Sequence, residues 1–378
     1  MTKLTILYLS LAIILIRFIV FYIGAERERR KKLLAKPESE LPFVSVIIPA
    51  RNEELNIRNC IYSVFANSYP KDKFEVIAIN DRSEDWTGSI LNECKKEFNN
   101  LKIITISEAT KHINLRGKPG ALQKGAEAAS GEIFLFTDAD CIVGKNWIKT
   151  IVAAFNNPKV GLVPSFTAIR ASSFFDKLQG TEWAYTHTLA SAGIGLNIPL
   201  GCFGNNLSIR AKAFRELGGY EKIKFSVTED LALLQAVFDA GWDIHYLYSP
   251  ESLVTTLPCK TIKSYIQQHH RWTIGGIELG WRAVVFVFSS LWFWLGIVFS
   301  IVFANWLWLG IIAGSRILSD WLLVKSSIRI LRKNNKESFS KILSPFLILI
   351  IMIEIIVPFF LLNRKVKWKN QVFHKNKK

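Results

Sequence analysis

Three aspartates stand directly behind apolar runs that read as buried strands: Asp81 after Phe74–Asn80 (FEVIAIN), and Asp138 and Asp140 after Glu132–Thr137 (EIFLFT). An Asp-x-Asp on the rigid end of a strand offers hard oxygen ligands, which suit Mg2+ or Mn2+ bridging phosphate oxygens. Alone, the same pair serves equally well as an Asx-turn or a helix cap. Three further groups add to it. Gly117-Lys118-Pro119-Gly120-Ala121-Leu122 places a lysine and two glycines at a helix start, where backbone donors favour an anion. Thr228-Glu229-Asp230 precedes a helical stretch, and by itself reads as an acidic N-cap. Gln268, Arg271 and Trp272 fall at i, i+3 and i+4, one face of a helix. Beside a membrane, Arg-Trp is also an ordinary interfacial anchor. His269 and His270 are adjacent, so a helix aims them about 100° apart and they do not read as a metal pair.

Strands and helices must hold these groups. Phe43–Pro49 (FVSVIIP), Phe74–Asn80, Leu101–Ser107 and Glu132–Thr137 read as strands, and Asn52–Phe65, Glu84–Phe98 and Lys118–Ser130 as the helices between them. Such alternation predicts an α/β domain with a parallel sheet covered on both faces, and ligands bind beyond the carboxyl ends of such strands. From Val160 to about Leu257 the pattern is less regular, with one clear helix, Leu231–Ala240, closed by Gly241. Lys260–Trp281 mixes apolar, basic and aromatic residues, as a helix lying in the membrane interface does.

Composition sets the surroundings. Leu4–Ile23 is a 20-residue apolar run broken by Arg17, and Ala283–Ser315 runs 33 residues without an Asp, Glu, Lys or Arg. About 20 apolar residues cross a bilayer, so a soluble cytosolic enzyme is excluded. The net charge of +17 invites a nucleic-acid reading. Yet residues 25–36, 325–341 and 363–378 carry net charges of +4, +5 and +7 and each abuts an apolar run, leaving the rest near neutral. That is the positive-inside bias beside a membrane with anionic lipids, and nucleic acid is not expected as a partner. The five cysteines lie at least 34 residues apart, which suggests neither a zinc site nor a disulfide framework. Because its basic cluster follows it, the first run reads as a retained anchor with a cytoplasmic C-terminal end rather than a signal peptide.

The expected organisation is an anchor over 1–24, a basic linker over 25–42, the α/β domain over 43–257, the interfacial helix over 258–282, membrane segments over 283–362 and a basic tail over 363–378. Residues 283–324 suffice for two spans turning near Asn305, the second carrying Arg316 and Asp320 as an i,i+4 pair. Ile342–Leu362 contains Pro345, Glu354 and Pro358. A full span there would put the basic tail outside, against the positive-inside bias, so the segment is open between a span and a re-entrant hairpin, with a cytoplasmic tail favoured.

Together these residues resemble the membrane-embedded family 2 glycosyltransferases, the group containing cellulose, chitin and hyaluronan synthases and ceramide glucosyltransferase. The family's pattern of Asp, Asp-x-Asp, Glu/Thr-Asp and Gln/Arg-x-x-Arg-Trp is met in order by Asp81, Asp138-Ala139-Asp140, Glu229-Asp230 and Gln268-His269-His270-Arg271-Trp272. VSVIIPARNEE (Val44–Glu54) and GKPGAL look similar too, and the resemblance covers about Phe43–Trp272. Asn80 and Arg82 depart from the pattern, which bears on nucleobase preference. The resemblance implies a GT-A (Rossmann-like) cytosolic domain between transmembrane helices, and single-displacement, inverting sugar transfer. It implies that Asp81 contacts the nucleoside, and that Asp138 and Asp140 place Mg2+ or Mn2+ on the diphosphate, with Lys118 in support. Asp230, beside Glu229, is then the base; Gln268, Arg271 and Trp272 close the floor; Asn205, in Gly204-Asn205-Asn206, lies near the donor sugar. The implied partners are a nucleotide sugar, foremost a UDP-sugar, a lipid or growing-glycan acceptor, and membrane lipids of a bacterial inner membrane. A membrane-lipid acceptor is favoured over a processive polysaccharide synthase because so few apolar segments make a polymer channel hard to build. A silent nucleotide-sugar sensor is disfavoured by the complete carboxylate set.

Overall fold

The computed structural model describes residues 3–31, 33, 40–332, 343–363, 365–368 and 371–374. Residues 32 and 34–39 of the expected linker, 333–341 of the basic stretch 325–341, and the end of the tail lie outside the described residues.

Helix α1 (Lys3–Arg29) is followed by β1 (Val44–Ala50), α2 (Ile57–Phe65), β2 (Phe74–Asp81), α3 (Thr87–Glu97), β3 (Leu101–Ile106), α4 (Lys118–Ala128) and β4 (Ile133–Phe136). Then come β5 (Ile142–Val143), α5 (Trp147–Ala154), β6 (Val160–Pro164), β7 (Thr167–Ile169), α6 (Phe174–Gly195), β8 (Leu207–Arg210), α7 (Ala211–Glu216), α8 (Gly219–Lys222) and α9 (Glu229–Asp239). The chain continues through β9 (Asp243–Ile244), β10 (Val254–Thr256), α10 (Ile262–Gly276), α11 (Val284–Val302), α12 (Trp306–Arg332), α13 (Leu343–Phe360), β11 (Lys365–Trp368) and β12 (Gln371–His374).

Among the described residues the main sheet has the order β3-β2-β1-β4-β8-β6-β9. Strands β3, β2, β1 and β4 are parallel, as expected. In the less regular part of the domain, β8 runs antiparallel to both β4 and β6. From β6 the chain reaches β8 through the three-residue β7, the long α6 and a loop rather than through a single short helix of the kind that joins the first strands. Alternation along the strands divides the core. Ile47, Ile77, Phe134 and Phe136 face one side with residues of α4, α6 and α9, while Val46, Ile48, Val76 and Leu135 face the other with residues of α2 and α5.

Helix α6 has no counterpart in the sequence expectation. It is buried nearly all round, from Thr181 through Ile194, and so lacks the amphipathic stripe by which helices are recognised. Its start is fixed by a capping box between Ser173 and Asp176. Its C-terminal end crosses α1 where Gly24 meets Gly195: a Cβ on Gly195 would lie 2.0 Å from the Gly24 carbonyl oxygen, so larger side chains would force the helices apart.

By length and composition, Lys3–Arg29 and Trp306–Lys325 suffice to cross a membrane. Residues Ile262–Ala283 and Phe286–Val302 form a further pair bent by 93°. The bend contains Gly280 at φ 57° and ψ −128°, a conformation essentially reserved for glycine. Helices α11 and α12 part at Ala304 (φ 48°), next to the expected turn at Asn305. Leu343–Phe360, open in sequence between a span and a hairpin, is one continuous helix. Its Glu354 accepts from Arg316 at 2.5 Å and from Ser290 at 3.0 Å, so the carboxylate is satisfied without breaking the helix. Arg316 also pairs with Asp320 at 2.6 Å, and Asp320 with Arg17 of α1 at 2.8 Å. The Tyr185 hydroxyl on α6 donates to Asp320 at 3.0 Å, so a charge-balanced knot ties α1, α6, α11, α12 and α13 together.

Candidate active site

The chain runs from β1 to β2 and β3 on one side, then returns to β4 on the other side of β1. This reversal opens a crevice beyond the carboxyl ends of β1 and β4, where open α/β sheets bind ligands. A cavity of about 220 Å³ lies there. Asp81 ends β2, Asp138 and Asp140 follow β4, Lys118 opens α4, and Glu229 and Asp230 open α9. Gln268, Arg271 and Trp272 come from α10, and Asn205 from the turn before β8; all of these sequence-predicted residues line the one cavity. A larger cavity of about 490 Å³, lined by Lys31, Asn156, Trp242 and His245 among others, contains none of them.

Lys118 joins the two carboxylate groups. Its ammonium lies 2.6 Å from Asp138 Oδ1 and 3.1 Å from Glu229 Oε1. Burial works against that charge, but Asp138 and Glu229 hold it well above the ordinary lysine range. Asp230 is positioned by backbone: Gly204 N–H donates to Oδ2 and Leu231 N–H to Oδ1, each at 2.8 Å. Gly204 must be small, since its Cβ would meet Glu229 Oε1 at 3.2 Å and Lys118 Nζ and Asp230 Cβ at 3.3 Å. Burial first, then the neighbouring Glu229 charge, raises Asp230 to about 6, against the pull of Lys118 and Arg271. A carboxyl near 6 is suited to accepting a proton at neutral pH.

Among the described residues, six carboxylates (Glu53, Asp81, Asp138, Asp140, Glu229 and Asp230) line the cavity against Arg51, Lys118 and Arg271. Their field is felt nearby, where burial together with Asp140 and Asp138 pushes the Cys60 thiol up. No group of three His, Cys, Asp or Glu forms a closed metal cage among the described residues. Asp138 and Asp140 offer hard oxygen donors, the type that a divalent cation takes beside water and phosphate oxygens.

Asp81 is buried and bridged at both oxygens by Arg82, at 2.7 and 3.0 Å, with Arg82 in the left-handed region at φ 54°. Arg82 thus neutralises the carboxylate where the sequence departs from the family pattern. Asn205 Oδ1 accepts from the Thr167 hydroxyl at 3.0 Å. Gln268 Oε1 is buried with no partner among the described residues, leaving an acceptor for a ligand donor. Trp272 sits edge-on to Phe203 and Trp183, with centroids 5.9 and 5.8 Å apart. His269 is structural: Nε2 lies 2.5 Å from Glu182 Oε1, and Nδ1 2.9 Å from the Tyr265 carbonyl. His270 turns away, 2.6 Å from the Asn363 carbonyl.

Sequence reasoning missed Trp183, Phe203 and Thr256 as lining residues, and Glu182 as the anchor of α10 through Tyr265 and His269. Trp183 and Glu182 belong to α6, whose existence carried no periodic signal; Phe203 is two residues from the Asn205 turn.

Comparison with known proteins now bears on this geometry. Over 264 residues the chain is 31% identical to a beta-monoglucosyldiacylglycerol synthase of Trichormus variabilis, covering 68% of this chain and 53% of that protein. Over 276 residues it is 29% identical to a poly-beta-1,6-N-acetyl-D-glucosamine synthase of Staphylococcus epidermidis, covering 69% and 61%. The chain thus spans about half to three-fifths of the length of these curated relatives. Its fold is shared with a mannosyltransferase from Pyrobaculum calidifontis solved with GDP-Man and Mn2+, at a TM-score of 0.56 and 18% identity over 94% of this chain and 99% of that one. The family model described as glycosyl transferase family 21 matches residues 9–378, and with the GT-A-like domain joined to apolar helices it places this membrane protein in that family.

Proposed function

We propose that the protein transfers a sugar, with inversion, from a nucleotide sugar, foremost a UDP-sugar, to a hydroxyl of a membrane lipid at the cytoplasmic face of a bacterial inner membrane. The observation that carries the reading is the placement of Asp230: it shares a cavity with Asp138 and Asp140 but stands on a separate helix, fixed by two backbone N–H groups. One carboxylate is thereby kept apart for proton transfer while the pair at β4 is left for a cation. Asp138 and Asp140 would hold Mg2+ or Mn2+, which supplies charge neutralisation to the departing diphosphate. Lys118 supports the phosphates, and Asp81 with Arg82 faces the nucleoside. The acceptor oxygen attacks the anomeric carbon as its proton passes to Asp230, and the bond to the diphosphate oxygen breaks with its electron pair on the leaving group. Gln268, Arg271, Trp272 and Asn205 orient donor and acceptor.

The similarity to a poly-beta-1,6-N-acetyl-D-glucosamine synthase supports a second reading, processive polymer synthesis. Packing favours the lipid. At Gly296 of α11 a Cβ would lie 2.7 Å from Ile312 of α12 and 2.8 Å from Ser10 of α1, so these three helices pack closely at that level, which supports the lipid reading. Membranes containing the protein, incubated with labelled UDP-glucose, UDP-N-acetylglucosamine and GDP-mannose and then extracted with organic solvent, separate the readings. Label in the organic phase supports a lipid acceptor, and insoluble high-mass label overturns it.

A further inference from the structure

The cavity of about 490 Å³ shares no lining residue with the catalytic one. Strands β4 and β6 both run antiparallel to β8, so they point the same way. Asp138 follows the carboxyl end of β4, whereas Val160, in the wall of this cavity, opens β6. The cavity therefore sits at the amino-terminal edge of the sheet, opposite the catalytic crevice. Three helices end on it: Ala154 closes α5, Ile194 lies in the last turn of α6, and Phe238 in that of α9. Its volume falls within the about 300–1,000 Å³ of small-molecule sites, and its wall is mixed, mostly apolar with a few polar groups.

Those polar groups are held in place. His245 is 7% exposed; burial first, then the Lys31 charge, lowers its ring to about 4, and no hydrogen bond to that ring forms among the described residues. A neutral imidazole keeps one donor and one acceptor to satisfy. Asn197, in the left-handed region at φ 60° just past the end of α6, adds an amide. Trp242 donates from Nε1 to Glu216 at 3.2 Å and lies against Gly161, where a Cβ would come within 2.7 Å of it, so the indole is fixed from behind.

We propose that this cavity is a second saccharide site, separate from catalysis, which takes a neutral hexopyranose with its hydroxyls on His245 and Asn197 beside Trp242. The inference goes beyond sugar transfer, which uses none of these residues. Charge selects the class. An anion would face the negative ends of three helix dipoles and the carboxylate of Asp243, while Lys31 is already paired with Glu28 at 2.6 Å. A cation would meet the Lys31 ammonium. A hydrocarbon would leave His245 buried and unpaired. A hexose carries no charge, and each of its hydroxyls both donates and accepts. A soluble saccharide and the headgroup of a glycolipid share this chemistry.

The full chain in phosphatidylcholine nanodiscs, without nucleotide sugar, is photolabelled by a β-glucoside with an alkyl-diazirine aglycone, and the labelled peptides are mapped. Label is expected within residues 153–160, 194–199 and 238–245, displaced by methyl β-glucoside but not by glucose 6-phosphate or choline. Displacement also by glucosyldiacylglycerol placed in the nanodisc assigns the site to a lipid headgroup, and its failure to displace assigns a soluble saccharide; both support the site. His245→Leu removes a buried polar group that has no partner, so its melting temperature should hold or rise. Asn197→Gly keeps the positive φ at no steric cost. Each variant should cut labelling about three- to tenfold, the worth of one hydrogen bond, with sugar transfer held within about twofold. Label confined to the catalytic cavity, equal displacement by glucose 6-phosphate or choline, or wild-type labelling of both variants would overturn the site. Should His245→Leu melt early, Asn197→Gly alone decides between these results.

Discussion

Replacing Asp230 by Asn should abolish transfer while making stability less sensitive to pH. The two oxygens of Asp230 accept from Gly204 and Leu231 N–H at 2.8 Å each. An amide keeps one acceptor and turns an NH2 toward the other donor, which costs about 1–3 kcal/mol for the unpaired N–H. Against this stands the cost of the wild-type charge. Burial and Glu229 raise the carboxyl from 3.8 to about 6, so the ionised form is disfavoured in the folded protein by about 3 kcal/mol. Because the folded value is the higher one, protonated Asp230 favours folding below pH 4, and that contribution is lost as pH rises through about 6. Between pH 5 and pH 8 the wild type should therefore lose about 1.4 kcal/mol that the always-neutral asparagine does not. At roughly 2–4 °C per kcal/mol, its Tm should fall by about 3–6 °C relative to the variant over that interval. Transfer should drop by ~10²–10⁴, the range for removing a general base, and the wild-type rate should show an acid limb near pH 6. Thermal unfolding in nanodiscs at both pH values, beside radiolabelled sugar transfer, measures both quantities. Parallel Tm–pH curves, or near-wild-type transfer by the variant, would refute the reasoning, and Glu229 would be the next carboxylate to replace.

Asp138→Ala and Asp140→Ala should each remove Mg2+- or Mn2+-dependent turnover; full activity of both variants in chelator would sink the cation assignment. Asp320→Leu leaves Arg17 and Arg316 buried without their shared carboxylate and should cost about 3–5 kcal/mol, read as a lowered melting temperature in detergent; an unchanged melt would show the knot to be dispensable. Cysteines introduced at Lys325 and Leu362, with Cys259 replaced by Ser and the other four thiols buried, should resist an impermeant maleimide on intact cells and react after permeabilisation. Labelling of Leu362→Cys from outside would contradict a tail on the catalytic side, where β11 packs against α10.

The first half of the α/β domain was legible because its strands and helices are short, adjacent and strongly periodic. β1, β2, β3 and β4 fall within a residue or two of their expected bounds, and the carboxylates at their ends follow from the rule for parallel sheets. Asp81, Lys118, the Asp138-x-Asp140 pair, Glu229-Asp230 and the α10 triplet were nameable from order and residue type. The turn near Asn305 was legible too, since the 42 residues 283–324 cannot fit one span. What the sequence left open is whatever depends on contacts between distant segments. Helix α6 is buried on every side, so its composition carries no period. The reversal of β8 is decided by long-range pairing with β4 and β6. Arg17 read as a blemish in an anchor, whereas tertiary structure makes it the counter-ion of Asp320, 303 residues away. The raised pKa of Asp230 exists only once α6, α9 and α10 converge. Local propensity and spacing determine elements; dielectric, charge pairing and the shape of a cavity arise where elements from far apart in the chain meet.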